Sequence, residues 1–399
     1  MNAGEQHYDV VYAPLGATAM GGAERSILEL AAAVAKRGQR VLVLAGPDLA
    51  GTAFGEFAER LDVALEWVDW GPSHGFRRNL KAALAVARKY STPVYHFNMS
   101  WLPWMWLVPA AVRLRTRACI ISTMRAMPDP HDLVPRRKYF GIVPGLQMWH
   151  LPEVLVGWIW GRLAHRTICI NAKDFPRRLV SDYGYPKKRL GIIYNGIDTR
   201  SEPASRAEID ALRRSLGSTE ENIVLCFVGR LSAEKGILDL LEAMTRLPAE
   251  YRLWIVGDGP QAGELGIRIK ALRLENRVAL VGFQSTPAQY MAASDIVVVP
   301  STWAEAFGRV VVEAMNERRP VVASRVGGMA ELFEDGVHGK FFPPGDVDRL
   351  AEAILSLGRD RAQLHALGEH ARTWVEQHYS IARVEQQYLE EYARCRSGR

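Results

Sequence analysis

Cysteine is scarce in this 399-residue chain, and the four that occur, Cys119, Cys169, Cys226 and Cys395, lie far apart. No Cys-x-x-Cys or clustered Cys/His set is present, so the spacing that holds structural zinc is missing and no metal is expected. Three of the cysteines sit in apolar runs, ACII, TICI and VLCFV, that read as buried strands, and the expectation is reduced thiols in a cytoplasmic protein. The first residues, MNAGEQHYDVVYAP, lack the basic and apolar regions of a secretory leader, which supports the same compartment. Also missing is Gly-x-Gly-x-x-Gly after the first apolar run, where GATAMGGA has a different spacing, and this argues against a dinucleotide-dependent oxidoreductase. The same loop has no Lys-Ser/Thr ending, which argues against a P-loop NTPase. Long apolar spans are nearly absent too. The uncharged stretch Tyr90 to Val112 is interrupted by Pro93, Pro103 and Pro109, and its first third reads as a strand, so a membrane-spanning helix is not expected there.

What the chain does have is apolar mass and an uneven charge. At 48% hydrophobic it can fill two cores of roughly 150 to 200 residues each. The net charge of +6 arises in one segment: residues 113–189 carry 15 Lys and Arg against 5 Asp and Glu, while residues 1–112 balance at 10 of each. Such a patch suits an anionic membrane surface, a diphosphate-linked lipid or nucleic acid; a solvated basic face is the alternative. Eight of the eleven tryptophans fall between Trp67 and Trp160, among them Trp101, Trp104, Trp106, Trp149, Trp158 and Trp160. Tryptophan beside basic residues favours a membrane headgroup layer, with ordinary core aromatics as the other reading.

The order of elements reads as strand, helix, strand throughout. YDVVYAPLG is a strand, GATAMGG a loop, and AERSILELAAAVAKRG a helix with Ile27, Leu30, Ala31 and Val34 on one face and Gly38 past its end. RVLVLAG, TPVYHFN, RACIIST and RTICIN continue as strands apolar on both faces, the pattern of a parallel sheet. After NGIDTR the polar stretch SEPASRAEID reads as a linker. A second series comes next, with strands at NIVLCFVG, RLWIVG, VALVGF, DIVVVPS and PVVASR and helices at GILDLLEAM and RVVVEAMNE. The expected domains are therefore 1–199 and 200–372, with 373–399 a terminal helix whose stripe of Ile381, Val384, Tyr388, Leu389 and Tyr392, capped by Ser380, packs on an unidentified partner.

Two constellations carry chemistry. Arg230 and Lys235 in FVGRLSAEKGILDLLEAM follow a strand and precede a helix, at the edge where open αβ sheets bind ligands, and they supply positive charge to a departing diphosphate. In STWAEAFGRVVVEAMNE, Phe307-Gly308 opens a helix, so Glu305 stands in the loop and Glu313 in the helix. The amides of Gly308, Arg309 and Val310 are offered to phosphate, Glu313 to a ribose diol, and Glu305 to the sugar end of a donor. Asp346 and Asp348 form a lone Asp-x-Asp that reads as a solvated turn.

The glycine pair Gly21-Gly22, NGID at 195–198, VGRLSAEKG, IVGDGP at 255–260, and EAFGRVVVEAM followed by VGG together resemble glycosyltransferase family 4 over nearly the whole chain. That resemblance implies the GT-B fold, an α/β architecture of two Rossmann-like parallel-sheet domains facing a cleft, with the C-terminal helix returning to the first domain. It implies a retaining, metal-independent transfer of a hexose from a UDP- or GDP-sugar to a hydroxyl acceptor, with no cofactor and no nucleic-acid partner. Arg230 and Lys235 would clamp the diphosphate, Glu305 contact the sugar, Glu313 hold the ribose, and Gly22 bring backbone near the phosphate. Gly21, Gly257, Phe283, Phe307, Gly308, Arg309 and Val310 would complete the donor site. The acceptor expected is a lipid-linked glycan in cell-surface polysaccharide synthesis, reached from the inner face of the cytoplasmic membrane. A soluble small-molecule acceptor, or an epimerase or phosphorylase on the same fold, is the alternative. The chain departs from the family in three places: Arg125 and Asn98, candidates for the acceptor or sugar side, stand where histidines are frequent, and Ala306 replaces a glycine.

Overall fold

The structure, a computed structural model, describes residues 6–71, 74–98, 106–126, 151–200 and 204–397. Trp101, Trp104 and Trp149 lie outside the described residues. The chain divides into two compact units, 1–196 with 381–399, and 197–380.

In the first unit seven strands form one parallel sheet: β1 (Val10–Pro14), β2 (Val41–Ala45), β3 (Leu65–Trp67), β4 (Val94–Asn98), β5 (Cys119–Met124), β6 (Arg166–Cys169) and β7 (Leu190–Ile192), in the order β3-β2-β1-β4-β5-β6-β7. Six strands form the second unit's parallel sheet: β8 (Ile223–Val228), β9 (Tyr251–Val256), β10 (Val278–Gly282), β11 (Ile296–Val299), β12 (Val321–Ser324) and β13 (Gly339–Phe342), ordered β10-β9-β8-β11-β12-β13. Both orders are those of a doubly wound fold. The strand order reverses between β1 and β4 in one sheet and between β8 and β11 in the other, so each sheet opens a crevice at its carboxyl edge beside those strands. Val, Ile and Leu dominate β2, β8 and β11, and these strands and β1 are nearly all buried, as expected of a parallel sheet covered on both faces.

Four helices position or support the candidate site residues: α1 (Gly22–Lys36), α2 (Ile237–Met244), α3 (Arg309–Asn316) and α4 (Ile381–Ser397). The stripe on α4 finds its partner in the first unit. Val384, Tyr388, Tyr392 and Cys395 share a core with Tyr12, Ile27, Val34 and Ile121, and α4 lies against α1 and β5. Beneath it runs a buried polar chain. His96 Nδ1 lies 2.7 Å from the Tyr392 hydroxyl and Nε2 lies 2.6 Å from Thr123 Oγ1; Tyr12 and Tyr388 extend the chain at 2.9 and 3.0 Å. A neutral imidazole offers one donor and one acceptor, and hydroxyls rotate to match either, so the ring is satisfied without charge. Burial holds its pKa well below the ordinary value, with the nearby charge of Arg125 adding to the effect. At the rim, Arg166 grips Glu391 through two bonds of 2.8 and 3.1 Å and Arg37 reaches Glu385 at 3.1 Å.

Three expectations are corrected. Cys119 and Cys395, read as reduced thiols, are joined in a disulfide with Cα atoms 6.0 Å apart, because α4 returns over β5 after 276 residues of sequence, a juxtaposition invisible to local patterning. His165 lies beside this pair, but its Nδ1 accepts from the Ile120 amide at 2.9 Å and the sulfurs are bonded to each other, so no thiolate pair faces it. The stretch read as a linker is helical from Arg206 to Ser215: Ser205 accepts from the Glu208 amide while the Glu208 carboxylate accepts from the Ser205 amide. The chain crosses between units at 196/197 and 380/381 rather than at 199 and 372, since residue 372 lies inside the unbroken helix Arg361–His378. There the Arg372 guanidinium donates to both oxygens of Asn316 at 2.6 Å.

This packing has two measurable consequences. Denatured without reductant, the chain exposes two alkylatable thiols, Cys169 and Cys226, rather than four, and reduction lowers stability by about 2–4 kcal/mol; mass spectrometry and thermal denaturation read these directly. Because the folded His96 pKa is depressed, its neutral ring contributes stability present above the ordinary value of 6.5 and lost as the pH falls below it. Between about pH 7.5 and about pH 5.5 the thermal midpoint should therefore drop more steeply in the native chain than in His96→Gln, and equal slopes would contradict the assignment.

Candidate functional site

In the second unit Arg230, Lys235, Glu305, Phe307 and Gly308 lie on the loops that leave β8 and β11, the two strands flanking the switch point, and Arg309, Val310 and Glu313 lie in the helix α3 that follows. Arg230 and Lys235 lie between β8 and α2; residues 301–308 lie between β11 and α3. Their backbones are tied together, Thr302 N–H donating to the Glu234 carbonyl at 2.9 Å. Across this tie Lys235 Nζ forms an ion pair with Glu305 Oε1. Ser301 Oγ donates to the same carboxylate oxygen at 3.0 Å, and Gly328 N–H donates to the Glu305 carbonyl at 2.7 Å. Glu305 is therefore fixed from three directions, and Lys235 is held in a defined place. Both side chains are partly exposed, at 30% and 22%, so the pair is reachable from solvent. Arg230 is exposed on the same loop.

Backbone geometry shapes the rest. Gly257, just past β9, has φ +143°, and a side chain there would collide with the Gly229 carbonyl; glycine lets the β8 and β9 loops lie flat against each other. Gly308 has φ +91° and ψ +55°, a left-handed conformation that turns the chain into α3, and a Cβ would run into Met329. As N-cap it provides no side chain to bond the first-turn amides of α3, which leaves that helix start as an anion-attracting surface. Phe307, buried, anchors the turn by an edge-on contact with Tyr379 at 5.8 Å between centroids. Within α3, Arg309 Nε donates to Glu313 Oε1 at 2.7 Å, one turn along the helix. Phe283 comes directly after β10 and is 76% exposed, an apolar ring presented at the carboxyl edge of the sheet. Asp346 caps the helix Val347–Gly358 by accepting from the Arg349 amide at 3.0 Å, and Asp348 pairs with Arg246 at 2.6 Å.

In the first unit, Gly21 and Gly22 begin α1, where the Glu24 carboxylate reaches back to the Gly21 N–H at 3.1 Å. Asn98 ends β4, Arg125 stands one residue past β5, and both are buried. Arg125 Nε donates to Asn98 Oδ1 at 3.1 Å and Nη1 donates to Asn195 Oδ1. These two candidates therefore belong to one cluster. Sequence reasoning missed Asn195 and Ser301 as site residues. Asn195 opens the NGID motif and Ser301 ends the strand run DIVVVPS, and only the fold shows what their side chains touch.

Two family models match, "Glycosyltransferase Family 4" over residues 20–201 and "Glycosyl transferases group 1" over residues 208–374. The crystal structure of Anabaena Alr3699/HepE in complex with UDP and glucose superposes with a TM-score of 0.80 at 26% identity, covering 97% of this chain and 100% of that one. The lipopolysaccharide core biosynthesis glycosyltransferase LpsE of Rhizobium meliloti is 27% identical over 80% of this chain and 87% of its own. The N-acetyl-alpha-D-glucosaminyl L-malate synthase of Bacillus anthracis is 29% identical over 51% of this chain; the chain spans about half the length of such curated relatives, 53% in this case. With matching models over both halves and a GT-B structure superposing along its length, the chain belongs to glycosyltransferase family 4.

Proposed function

We propose that this chain is a retaining glycosyltransferase that moves a hexose from a UDP- or GDP-sugar to a hydroxyl of a lipid-linked glycan, using protein cations rather than a bound metal. The observation that carries the reading is the convergence of Arg230, Lys235 and the uncapped start of α3 on the loops flanking one switch point. As the glycosyl bond breaks, the departing nucleoside diphosphate gains negative charge, and fixed cations and amides stabilise it without reorganising. Acceptor attack occurs on the face the diphosphate leaves. The acceptor hydroxyl proton passes to an oxygen of the diphosphate, its oxygen bonds to the anomeric carbon, and the configuration is kept.

The Lys235–Glu305 pair gives this scheme a definite order. Before the donor arrives each charge is compensated by the other. A diphosphate competes with Glu305 for Lys235 and carries more charge, so binding shifts the lysine toward phosphate and releases the carboxylate to accept a hydrogen bond from a sugar hydroxyl. The acceptor reading is supported by the basic excess of residues 113–189 and by the helix Leu151–Leu163, where Leu155 and Trp158 are 56% and 46% exposed and the Arg162 guanidinium stacks 3.9 Å from the Trp158 ring centroid. Trp160 and Trp70, by contrast, are core residues. Among the described residues no helix is long and apolar enough to cross a membrane, so the contact proposed is peripheral.

Lys235→Ala is expected to lower turnover by about 100-fold or more and to weaken UDP or GDP binding; near-normal turnover would rule the clamp out. Glu305→Gln separates the two halves of the scheme: nucleoside diphosphate binds as tightly or more tightly by calorimetry, since Lys235 has lost its competitor, while transfer falls. Weaker binding in that variant would contradict the competition.

A further inference from the structure

Two buried serines stand behind the Lys235–Glu305 pair. Ser301, 1% exposed, lies two residues past β11; Ser324, fully buried, ends β12, the neighbouring strand of the same sheet. Ser324 Oγ donates to the Ser301 carbonyl, with the Val299 carbonyl more distant at 3.5 Å. Ser301 Oγ in turn donates to Glu305 Oε1 at 3.0 Å, the same oxygen that meets Lys235 Nζ. The turn after β12 holds the backbone of this glutamate as well, Gly328 N–H donating to the Glu305 carbonyl at 2.7 Å. The two hydroxyls therefore run in series from the interior of the sheet to the charged pair.

A serine hydroxyl has one proton to give. Ser301 is almost wholly shielded from solvent and gives its proton to Glu305, so a carboxylate that moved away with the lysine would strand a buried donor. The same bond gains weight when a diphosphate draws Lys235 off. The Glu305 side chain is only 22% exposed, and once the lysine has left, its charge has lost the compensating cation. A hydrogen bond to that unpaired carboxylate is worth more than the same bond to a carboxylate still paired, because the donor then carries a larger share of the stabilisation. Ser301 thus favours the state with the lysine released over the state with the pair closed. Ser324 acts one step further back. By fixing the Ser301 peptide it fixes where the hydroxyl starts from, and so keeps it aimed at Glu305.

We propose that Ser301 and Ser324 are positioning residues that set how readily Glu305 surrenders Lys235 to the donor diphosphate. The inference rests on the transferase reading and deepens it: nucleotide affinity depends on two buried hydroxyls as well as on the cations. Ser301 acts through Glu305 and Ser324 through Ser301; neither touches the substrate.

Double-mutant cycles on the full-length chain, read by calorimetry with UDP and GDP, test this order. Each serine is replaced by alanine and, separately, by cysteine, which nearly keeps the side-chain volume but offers only a weak donor. Ser301→Ala and Ser301→Cys are expected to weaken binding of whichever nucleotide the native chain takes by about fivefold or more. In a Glu305→Gln background the same substitutions are expected to change affinity by less than about twofold, since no carboxylate is left uncompensated. Ser324→Ala and Ser324→Cys are expected to weaken nucleotide binding in the native chain and to add nothing once Ser301 is replaced. A merely structural contribution lowers affinity alike with and without Glu305, so equal losses in the two backgrounds overturn the proposal. Unchanged affinity in both Ser301 variants overturns it too, and a Ser324 effect that persists without the Ser301 hydroxyl breaks the series. A native chain that binds neither UDP nor GDP overturns the transferase reading itself.

Discussion

The ion pair between Lys235 and Glu305 is the contact on which the rest of the site depends. The transfer proposed above needs a cation that is held in place yet available, and a partly exposed pair meets both needs. Solvent screens it enough that an incoming polyanion can compete, while Ser301 and the Gly328 amide keep the carboxylate from following the lysine. A fully buried pair would bind its own partner too firmly, and an unpaired lysine on a loop would have no fixed position. The adjoining turn at Gly308 adds backbone dipoles that do not move at all, so mobile and immobile positive charge are set side by side.

The scaffold explains why these groups meet. In each doubly wound sheet the chain returns to the middle and proceeds the other way, leaving two adjacent strands whose following loops diverge. Arg230, Lys235 and Glu305 occupy that position in one sheet, Asn98 and the start of α1 in the other. The first sheet is completed by a distant part of the sequence. α4 buries its tyrosines on α1 and β5, and the neutral His96 chain, the two arginine pairs and the Cys119–Cys395 bond fix its register from core to rim. His96 and Thr123, which bond the α4 tyrosines directly, belong to β4 and β5, whose ends carry Asn98 and Arg125. Order in the terminal helix thus supports that edge of the sheet.

Much of this was legible in the sequence because the information is local. Apolar runs apolar on both faces marked β1, β2, β4, β5 and β6 and the main strands of the second sheet, and the glycine-bounded turns marked where loops meet helices. The edge strands β3, β7 and β13 were missed, being three or four residues long with mixed burial and no periodicity of their own. Ser205 and Glu208 carried a readable capping signature inside a stretch that polarity alone made look like linker. The family resemblance rested on motifs, and both family models agree with it. What local patterning could not reach were pairs distant in sequence: Cys119 with Cys395, His96 with Tyr392, Arg125 with Asn195, and Lys235 with Glu305. Each of these depends on which strands the topology makes neighbours.

The most direct test is a crystal structure of the chain with UDP or GDP bound. The account predicts the diphosphate within hydrogen-bonding distance of Arg230, Lys235 and the first-turn amides of α3, with the lysine drawn away from Glu305. A nucleotide bound elsewhere, with Lys235 still on Glu305 and Arg230 turned to solvent, would contradict it.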